Sequence, residues 1–285
     1  MDSSETETRG VLYVVATPIG NLGDLTLRAI ETLKTASRIA AEDTRQTKKL
    51  LSHLGITGKP LDALHAHSTD RDVARAVDAL LAGESIALVT DAGTPIVSDP
   101  GDVLVQRAIA AGIRVVPIPG ASAVLAALVA SGLGGAGFRF LGFLPREGTA
   151  RRAAIGTACA TPETVVLFES PERTKATLSE FAEATPDRPA AVARELTKLH
   201  EEVARGTVAA LAERESWRGE VVIVLGAWEP ASREETIDDA SVDARIDREL
   251  ADGLHAKTIA ERIAAWSGRP KREIYEKVVS RKNRA

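Results

Sequence analysis

The sequence is poor in cysteine and in aromatic residues, and each shortage excludes a class of protein. Its single cysteine, Cys159, excludes an internal disulfide and a metal site built from several cysteines, and it fits a reducing compartment. Aromatic residues make up only 4% of the 285 residues, and no basic stretch is interleaved with them. A surface that stacks the bases of a single strand is therefore not predicted.

Long apolar runs and targeting signals are also missing. No run approaches the ~20 apolar residues that a membrane-spanning helix needs. Residues 1–9 are mostly polar and acidic, without the basic and apolar regions of a signal peptide, and we expect them to be disordered. With the lone cysteine, these features predict a cytoplasmic protein.

The net charge of −4 is spread unevenly along the chain. Residues 211–240 carry eight acidic residues against three basic ones, whereas residues 257–285 carry nine Lys or Arg against three Glu. A basic tail of this kind fits either a solvated pair of helices or a segment that contacts RNA, and charge alone leaves both readings open.

Strands and helices alternate from residue 11 to residue 131. The strands are expected at 11–15, 38–41, 61–65, 86–89 and 114–118, and helices at 24–34, 47–54, 71–82, 102–111 and 124–131. This alternation predicts an α/β domain over 10–131 with a mostly parallel sheet.

A glycine-rich stretch, 132–137, marks the expected boundary with a second α/β domain over 132–228. Strands are predicted at 138–143, 164–168, 190–193, 203–207 and 221–225, helices at 174–184 and 208–213, and a polar loop at 144–152. We expect an acidic linker over 229–239 and then a basic helical tail over 240–285. Its helices at 256–266 and 271–280 have helix-turn-helix spacing, and a further helix is expected at 245–250.

The most informative stretch is 86–101, IALVTDAGTPIVSDPG. A buried strand delivers a loop of small and polar residues to the carboxyl edge of the sheet, where open α/β sheets bind ligands. Residues 119–123 form a similar small-residue loop before a helix. The chain has neither G-x-G-x-x-G spacing nor a P-loop Gly-Lys-Ser/Thr, which disfavours an ordinary NAD or ATP site.

Two further clusters are candidates for chemistry. Glu42, Asp43 and Arg45 follow a predicted strand, although an acid there could equally cap the next helix. His65 and His67 lack a third ligand nearby, so no metal site is predicted.

Five stretches in order carry a resemblance to one family. They are LYVVATPIGNL (12–22), AEDTR (41–45), TDAGTPIVSDPG (90–101), GFLP with FESPER (142–145 and 168–173), and RELTKLHE followed by RGT (194–201 and 205–207). Together they resemble the small-subunit ribosomal RNA cytidine 2′-O-methyltransferases, the RsmI family of the tetrapyrrole-methylase superfamily, from about residue 10 to residue 228. The departures are small. Ala121 stands where the family often has Pro, Ile96 stands where it often has Gly, and 64–68 is a loosened His-rich segment.

The resemblance implies a two-domain tetrapyrrole-methylase-like fold, with a mostly parallel sheet in the N-terminal domain and a mixed sheet in the C-terminal domain. It implies that S-adenosylmethionine (SAM) binds in the cleft between the domains and that the protein is a homodimer. It implies methylation of the ribose 2′-hydroxyl of a cytidine in the decoding region of 16S rRNA in the small ribosomal subunit. The family's cofactor contacts map onto Pro18, Ile19, Asp91, Gly93, Thr94, Val97, Ser122, Ala123, Phe168, Leu196 and Glu220.

A ribose hydroxyl is a poor nucleophile while protonated, so a general base is expected near the acceptor. The candidates are Glu42, Asp43, Glu195 and Lys198, of which the Glu42–Asp43 pair is preferred, and each could instead form a structural ion pair. Candidate RNA contacts are Arg45, His67, Arg146, Arg151 and Arg152. Two other functions stay open, which are methylation of a tetrapyrrole, another small molecule or a protein, and RNA binding by a non-catalytic assembly factor.

Overall fold

The computed structural model describes residues 9–65, 68–99, 101–228 and 239–282, without the side chain of Ala240. The expectations for residues 1–9, for the linker 229–239 and for His67 fall wholly or largely outside these residues. The described residues belong to two compact units, one that ends at Trp228 and one that lies within 229–285.

The first sheet of the larger unit has five parallel strands in the order β3-β2-β4-β1-β5. Its elements are β1 (Val11–Val15), α1 (Leu27–Thr35), β2 (Arg38–Ala41), α2 (Thr44–His53), β3 (Leu61–Ala63), α3 (Asp70–Leu81), β4 (Ile86–Val89), α4 (Asp102–Ala110), β5 (Arg114–Ile118) and α5 (Ala123–Ser131). The predicted parallel sheet is confirmed. Helix α1 starts later than expected, because the Thr26 hydroxyl accepts from Ala29 N (3.1 Å) and caps it there.

The first sheet is covered on both faces, which explains its nearly continuous apolar strands. Leu33 of α1 and Leu51 of α2 pack on one face, and Leu80 of α3 and Leu104 of α4 pack on the other. Because all strands are parallel, the loops that follow β1, β2, β4 and β5 meet at one edge.

The second sheet is mixed and has the order β6-β7-β10-β8-β9, with only β6 and β7 parallel. Its elements are β6 (Phe138–Phe143), α6 (Gly148–Ala160), β7 (Thr164–Glu169), α7 (Pro171–Ala184), β8 (Pro189–Arg194), β9 (Glu202–Thr207), α8 (Val208–Ala212) and β10 (Val221–Leu225). The predicted mixed sheet is confirmed. The predicted polar loop over 144–152 is wrong in its second half, because α6 begins at Gly148 and buries Ile155, Ala158 and Cys159.

Helix α5 joins the two sheets. Its Val124 and Ala127 pack in one apolar cluster with Val222 and Val224 of β10. Ile19, from the loop after β1, belongs to the same cluster. The carboxyl edge of the first sheet is thereby held against the second sheet, and the space between them is the cleft that contains the site.

The smaller unit is helical, as predicted, and consists of α9 (Asp239–Ala251), α10 (Ala256–Ser267) and α11 (Lys271–Lys282). Val242, Ile259 and Ile274 contribute one side chain from each helix to its core. Across the described parts of both units, no helix combines the length and apolarity needed to span a bilayer.

Candidate functional site

A cavity of about 370 Å³ lies where the loops after β1, β4 and β5 face β7 and β10. Its wall is mainly apolar with a few polar groups, and its volume falls within the roughly 300–1,000 Å³ typical of small-molecule sites. Most of the cofactor residues predicted from sequence line this cavity, namely Ile19, Gly93, Thr94, Val97, Ser122, Ala123, Phe168 and Glu220. We refer to it as the cofactor cavity.

Three predicted cofactor residues lie elsewhere. Pro18 and Asp91 line a neighbouring cavity of about 550 Å³ beside α2, the α2 cavity, together with Gln46 and Lys49. Leu196 is buried in the apolar cluster that contains Ile19. These three residues can support the walls of the cofactor cavity but do not line it.

The loop after β4 is braced against the loop after β1. Thr17 N donates to Gly93 O (2.8 Å), and Gly93 N donates to Thr17 O (3.1 Å). The Thr17 hydroxyl donates to Thr90 O (3.0 Å), and that of Thr94 donates to Ala121 O (3.2 Å). Gly93 has a φ of +86°, which favours glycine, so the loop turns sharply at the cavity wall.

The same loop contains two non-glycine residues in the left-handed region, Ile96 (φ 77°) and Ser98 (φ 68°). A β-branched residue is a genuine outlier there, and strain of this kind is concentrated at functional sites. The observed φ also explains why glycine suits position 96 in the resembling family.

A second strained loop follows β8 and places Lys198 in the wall of the α2 cavity. Glu195 (φ 49°) and Thr197 (φ 66°) are both left-handed. Lys198 Nζ lies 3.0 Å from Glu195 Oε1 and 3.0 Å from Glu220 Oε2. Gly219 has a φ of +79°, and a side chain there would clash with the Glu195 carboxyl group. The absence of a side chain therefore lets the two loops approach each other.

These contacts make Glu195 and Lys198 poor proton acceptors. Burial opposes the charge on Lys198, but hydrogen bonds to Glu220 and Glu195 raise its pKa above the ordinary value. The pKa of Glu195 is lowered by the hydrogen bond from the Glu220 backbone and then by Lys198. The geometry favours an ion-paired loop brace for both residues over the base suggested by sequence.

Glu42 and Asp43 differ sharply although they are adjacent. The Thr90 hydroxyl donates to Glu42 Oε2 (2.6 Å), and Asp91 N donates to the same oxygen (3.3 Å). Asp43 caps α2 by accepting from Arg45 N (2.8 Å), and this bond, followed by the Arg45 side chain, lowers the pKa of Asp43. The structure thus directs Glu42 toward the loop after β4 and gives Asp43 a capping role.

Asp43→Asn is expected to retain the methyl transfer that the sequence resemblance implies, because asparagine caps a helix about as well as aspartate does. Asp43→Ala is expected to lower the free energy of unfolding by about 1 kcal/mol through loss of the cap. Chemical denaturation and a methyl-transfer assay on both variants check these outcomes. A folded Asp43→Asn variant without activity would show instead that the carboxylate takes part in the chemistry.

Asp99 is a residue that the sequence analysis did not select. It lines the cofactor cavity and also a third cavity of about 550 Å³ beside α3 and α4, the α3–α4 cavity. Burial, and then the negative charge of Glu42, raise the pKa of Asp99 to about 6. Its sequence context, Ser-Asp-Pro-Gly, is typical of an ordinary turn, and its separation of eight residues from Asp91 gives no sign that the two carboxyl groups interact.

Among the predicted RNA contacts, the structure separates exposed arginines from a buried one. The Arg45 side chain is 86% exposed, and Arg146 and Arg152 are exposed as well. Arg151 is buried on α6, and its guanidinium donates to Glu180 Oε1 (2.7 Å) and Thr177 Oγ1 (2.9 Å). The expectation that Arg151 contacts RNA is therefore corrected, because its donors are turned into the domain.

Arg151 belongs to a network around Glu169, a buried carboxylate in the wall of the cofactor cavity. Glu169 accepts from Thr177 Oγ1 (2.7 Å) and Ser170 N (2.9 Å), and Arg173 lies 3.0 Å away. A buried charge needs such partners, so this network fixes the end of β7.

The lining of the cofactor cavity suits SAM. The tight turn at Gly93 and the small Ser122 and Ala123 leave backbone accessible at the start of α5, where a ligand can approach closely. Phe143 and Phe168, whose ring centroids are 5.4 Å apart with the rings tilted by 56°, give one side an apolar aromatic surface. The cavity can hold a molecule with an aromatic ring and polar groups.

Comparison with known proteins places this geometry in a family. The model of the family described as "Tetrapyrrole (Corrin/Porphyrin) Methylases" matches residues 11–212. The chain is 45% identical to "Ribosomal RNA small subunit methyltransferase I" of Halalkalibacterium halodurans, over 94% of each chain. It is 46% identical to the protein of the same name from Xylella fastidiosa, over 94% of this chain and 98% of the relative. The Bacillus subtilis protein of that name is 40% identical over 94% and 93%.

Solved structures agree with the fold. A diphthine synthase superposes with a TM-score of 0.60 at 16% identity, covering 76% of this chain and 90% of the other. Uroporphyrin-III C-methyl transferase from Thermus thermophilus, complexed with S-adenyl homocysteine, gives a TM-score of 0.54 at 20% identity, covering 76% and 97%. The chain therefore belongs to the tetrapyrrole methylase family of SAM-dependent methyltransferases, in the branch named ribosomal RNA small subunit methyltransferase I.

Proposed function

We propose that this chain transfers a methyl group from SAM to the ribose 2′-hydroxyl of a cytidine in the decoding region of 16S rRNA. The observation that carries the proposal is the 45% identity, over 94% of the chain, to a relative named for methylation of small-subunit ribosomal RNA. The five ordered motifs support the finer choice of a cytidine ribose, because they resemble the cytidine 2′-O-methyltransferases. The cofactor cavity supplies a place for the methyl donor.

The chain's own contribution to such a reaction is alignment and proton management. SAM, when bound, supplies an electrophilic methyl group, and the transfer is an in-line displacement that depends on positioning. Ile19, Ala123 and Phe168 would hold the donor, and a carboxylate near the loop after β4 would receive the proton of the hydroxyl. Exposed Arg45, Arg146 and Arg152 would contact RNA phosphates, which set position without reading sequence.

The other two functions receive less support. The diphthine synthase and the uroporphyrin-III transferase share the fold at 16% and 20% identity. Similarity at this level does not indicate that this chain has the same substrate as either protein. A non-catalytic assembly factor would not need the cofactor cavity, and titration calorimetry separates the two cases. Failure to bind SAM at millimolar concentration would contradict both methyltransferase hypotheses, methylation of rRNA and methylation of a small molecule or protein.

Mapping ribose methylation on 16S rRNA tests the proposed function directly. RNA from cells with the gene, without it, and with the wild-type gene restored is digested, and 2′-O-methylcytidine is located by mass spectrometry. We expect one decoding-region cytidine to lose its methyl group on deletion and to regain it on restoration. An unchanged pattern would contradict the proposal.

The proposed homodimer is supported by α5. This helix is apolar all round, which is typical of a helix covered on every side. Its Val124 and Ala127 are buried, whereas Leu125 (53% exposed) and Val129 (82% exposed) project together from the other face. A second copy of the chain would cover this face.

Val129→Asp is therefore expected to convert the dimer to a monomer, because a carboxylate in an apolar interface loses its hydration. Sedimentation velocity at micromolar concentration measures the change. Leu27→Asp is the matched control, since Leu27 is an apolar residue that is 86% exposed on α1 and should leave the dimer intact. A wild-type monomer, or a Val129→Asp dimer, would refute this interface.

A further inference from the structure

Asp99 lines both the cofactor cavity and the α3–α4 cavity. Among the described residues, no other titratable residue lines both of these cavities. An acceptor hydroxyl must meet the methyl group at the boundary of the cofactor cavity. A carboxyl group in the wall common to two cavities faces both the donor and an acceptor that enters from the second one. The loop that carries Asp99 contains Ile96 and Ser98 in the left-handed backbone conformation. This conformation is strained for both residues, so the loop reaches its position at an energetic cost.

The groups around Asp99 are mostly acidic. The Thr90 hydroxyl is within hydrogen-bonding reach of Asp99 and donates to Glu42 Oε2 (2.6 Å). The charges of Glu42 and Asp91 both raise the pKa of Asp99, after burial, which is the largest cause. The other titratable groups that line the α3–α4 cavity are His65, Asp70 and Asp102. A carboxylate in this setting takes up a proton more readily than an exposed one, and its pKa of about 6 leaves it deprotonated near neutral pH.

We propose that Asp99 is the general base of the reaction, a proposal that rests on the methyl transfer to a hydroxyl proposed above. The acceptor oxygen forms its bond to the methyl carbon as the carbon–sulfur bond of the donor breaks. The electron pair of that bond stays on sulfur, which becomes a neutral thioether, and the proton of the hydroxyl passes to a carboxylate oxygen of Asp99. Glu42 acts as a positioning residue that holds Thr90 and the negative charge beside Asp99.

Asp99→Asn removes the base and keeps the size of the side chain. We expect single-turnover methyl transfer to small-subunit rRNA to fall by about 10²–10⁴-fold. In the wild type, the rate should rise with pH up to about 6 and then level off, because the base must be deprotonated. This rise should vanish in the variant. Asp78→Asn, the same change at an exposed position of α3, should leave both rate and pH profile unchanged.

Two rival roles give different results. Asp91 also has a raised pKa, caused mainly by burial, and lines the α2 cavity. If Asp91→Asn rather than Asp99→Asn removes the rise of rate with pH, the proposal is overturned. Asp99 could instead offset the positive sulfonium, in which case Asp99→Asn would weaken binding of SAM but not of S-adenosylhomocysteine in calorimetry. If Asp99→Asn weakens the binding of SAM alone and its rate still rises with pH as in the wild type, the proposal that Asp99 is the base is also overturned.

The outcome expected for a base is an unchanged ratio of the two affinities together with loss of transfer. Full activity of a folded Asp99→Asn variant would equally refute the proposal. Failure of the proposed function is recognised separately, since the wild-type protein itself would then methylate no ribose in rRNA.

Discussion

Replacing Ala123 with phenylalanine is expected to weaken SAM binding by at least about 100-fold, equivalent to about 2.7 kcal/mol. Ala123 is the first residue of α5 and lines the cofactor cavity together with Phe168. A phenyl ring at this position would occupy the space that the donor needs. The surrounding apolar cluster, packed against the second sheet, has little room to move the ring away.

Titration calorimetry of the folded variant measures this loss, and circular dichroism confirms that the fold is retained. Ala110→Phe is the matched control, because Ala110 is exposed at the end of α4. Ala123→Ser, which adds only a hydroxyl, should bind SAM within a few-fold of wild type. Unchanged affinity in folded Ala123→Phe would place the cofactor outside this cavity.

Replacing Arg188 with methionine is expected to lower the free energy of unfolding by about 4 kcal/mol, since it leaves several buried carbonyls without donors. Arg188 is fully buried. Its guanidinium donates to the carbonyl oxygens of Gly226 and Ala158 (2.8 Å each), Glu163 (2.9 Å) and Thr161 (3.1 Å). It thereby ties the end of α6 to the start of β7 and the end of β10. Burial lowers the pKa of Arg188 from its ordinary value, yet the side chain remains a five-proton donor.

Thermal unfolding should show the melting temperature of Arg188→Met reduced by roughly 10 °C for a unit of this size. Arg139→Met is the matched control, because Arg139 lies exposed on the edge strand β6 and its loss should change stability by less than ~0.5 kcal/mol. A melting temperature for Arg188→Met equal to that of the control would show that the four carbonyls find other partners.

The two sheets show which elements the hydrophobic pattern of the sequence can predict. Runs such as Ile86–Val89 and Val221–Leu225 are apolar throughout because both faces of the strands are covered, and such runs are readable. The start of α6 cannot be predicted from the hydrophobic pattern, because its first turns contain Gly148 and two arginines and have no apolar stripe. The order of the second sheet depends on antiparallel pairing between strands far apart in sequence, which periodicity does not encode.

The site shows the same division. Loop composition after β1, β4 and β5 predicted where small residues would gather, because parallel strands end at one edge. Loop composition could not predict which charged side chains are buried, which cap a helix and which face a cavity. The burial of Arg151 and Arg188, the cap at Asp43 and the approach of Asp99 to Glu42 arise from packing between elements, so identical residue types take opposite roles. Only three-dimensional contacts separate Asp99 from Asp91.

The proposed activity of this chain is methyl transfer from SAM to a cytidine ribose of small-subunit rRNA. Its most direct measurement uses purified protein, SAM labelled in the methyl group, and small ribosomal subunits or free 16S rRNA from cells that lack the gene. We predict incorporation of one labelled methyl group per rRNA, recovered as 2′-O-methylcytidine from the decoding region, and none with Ala123→Phe. Label recovered on a base, on protein or on a small molecule, or no transfer to either RNA substrate by protein that binds SAM, would contradict the account.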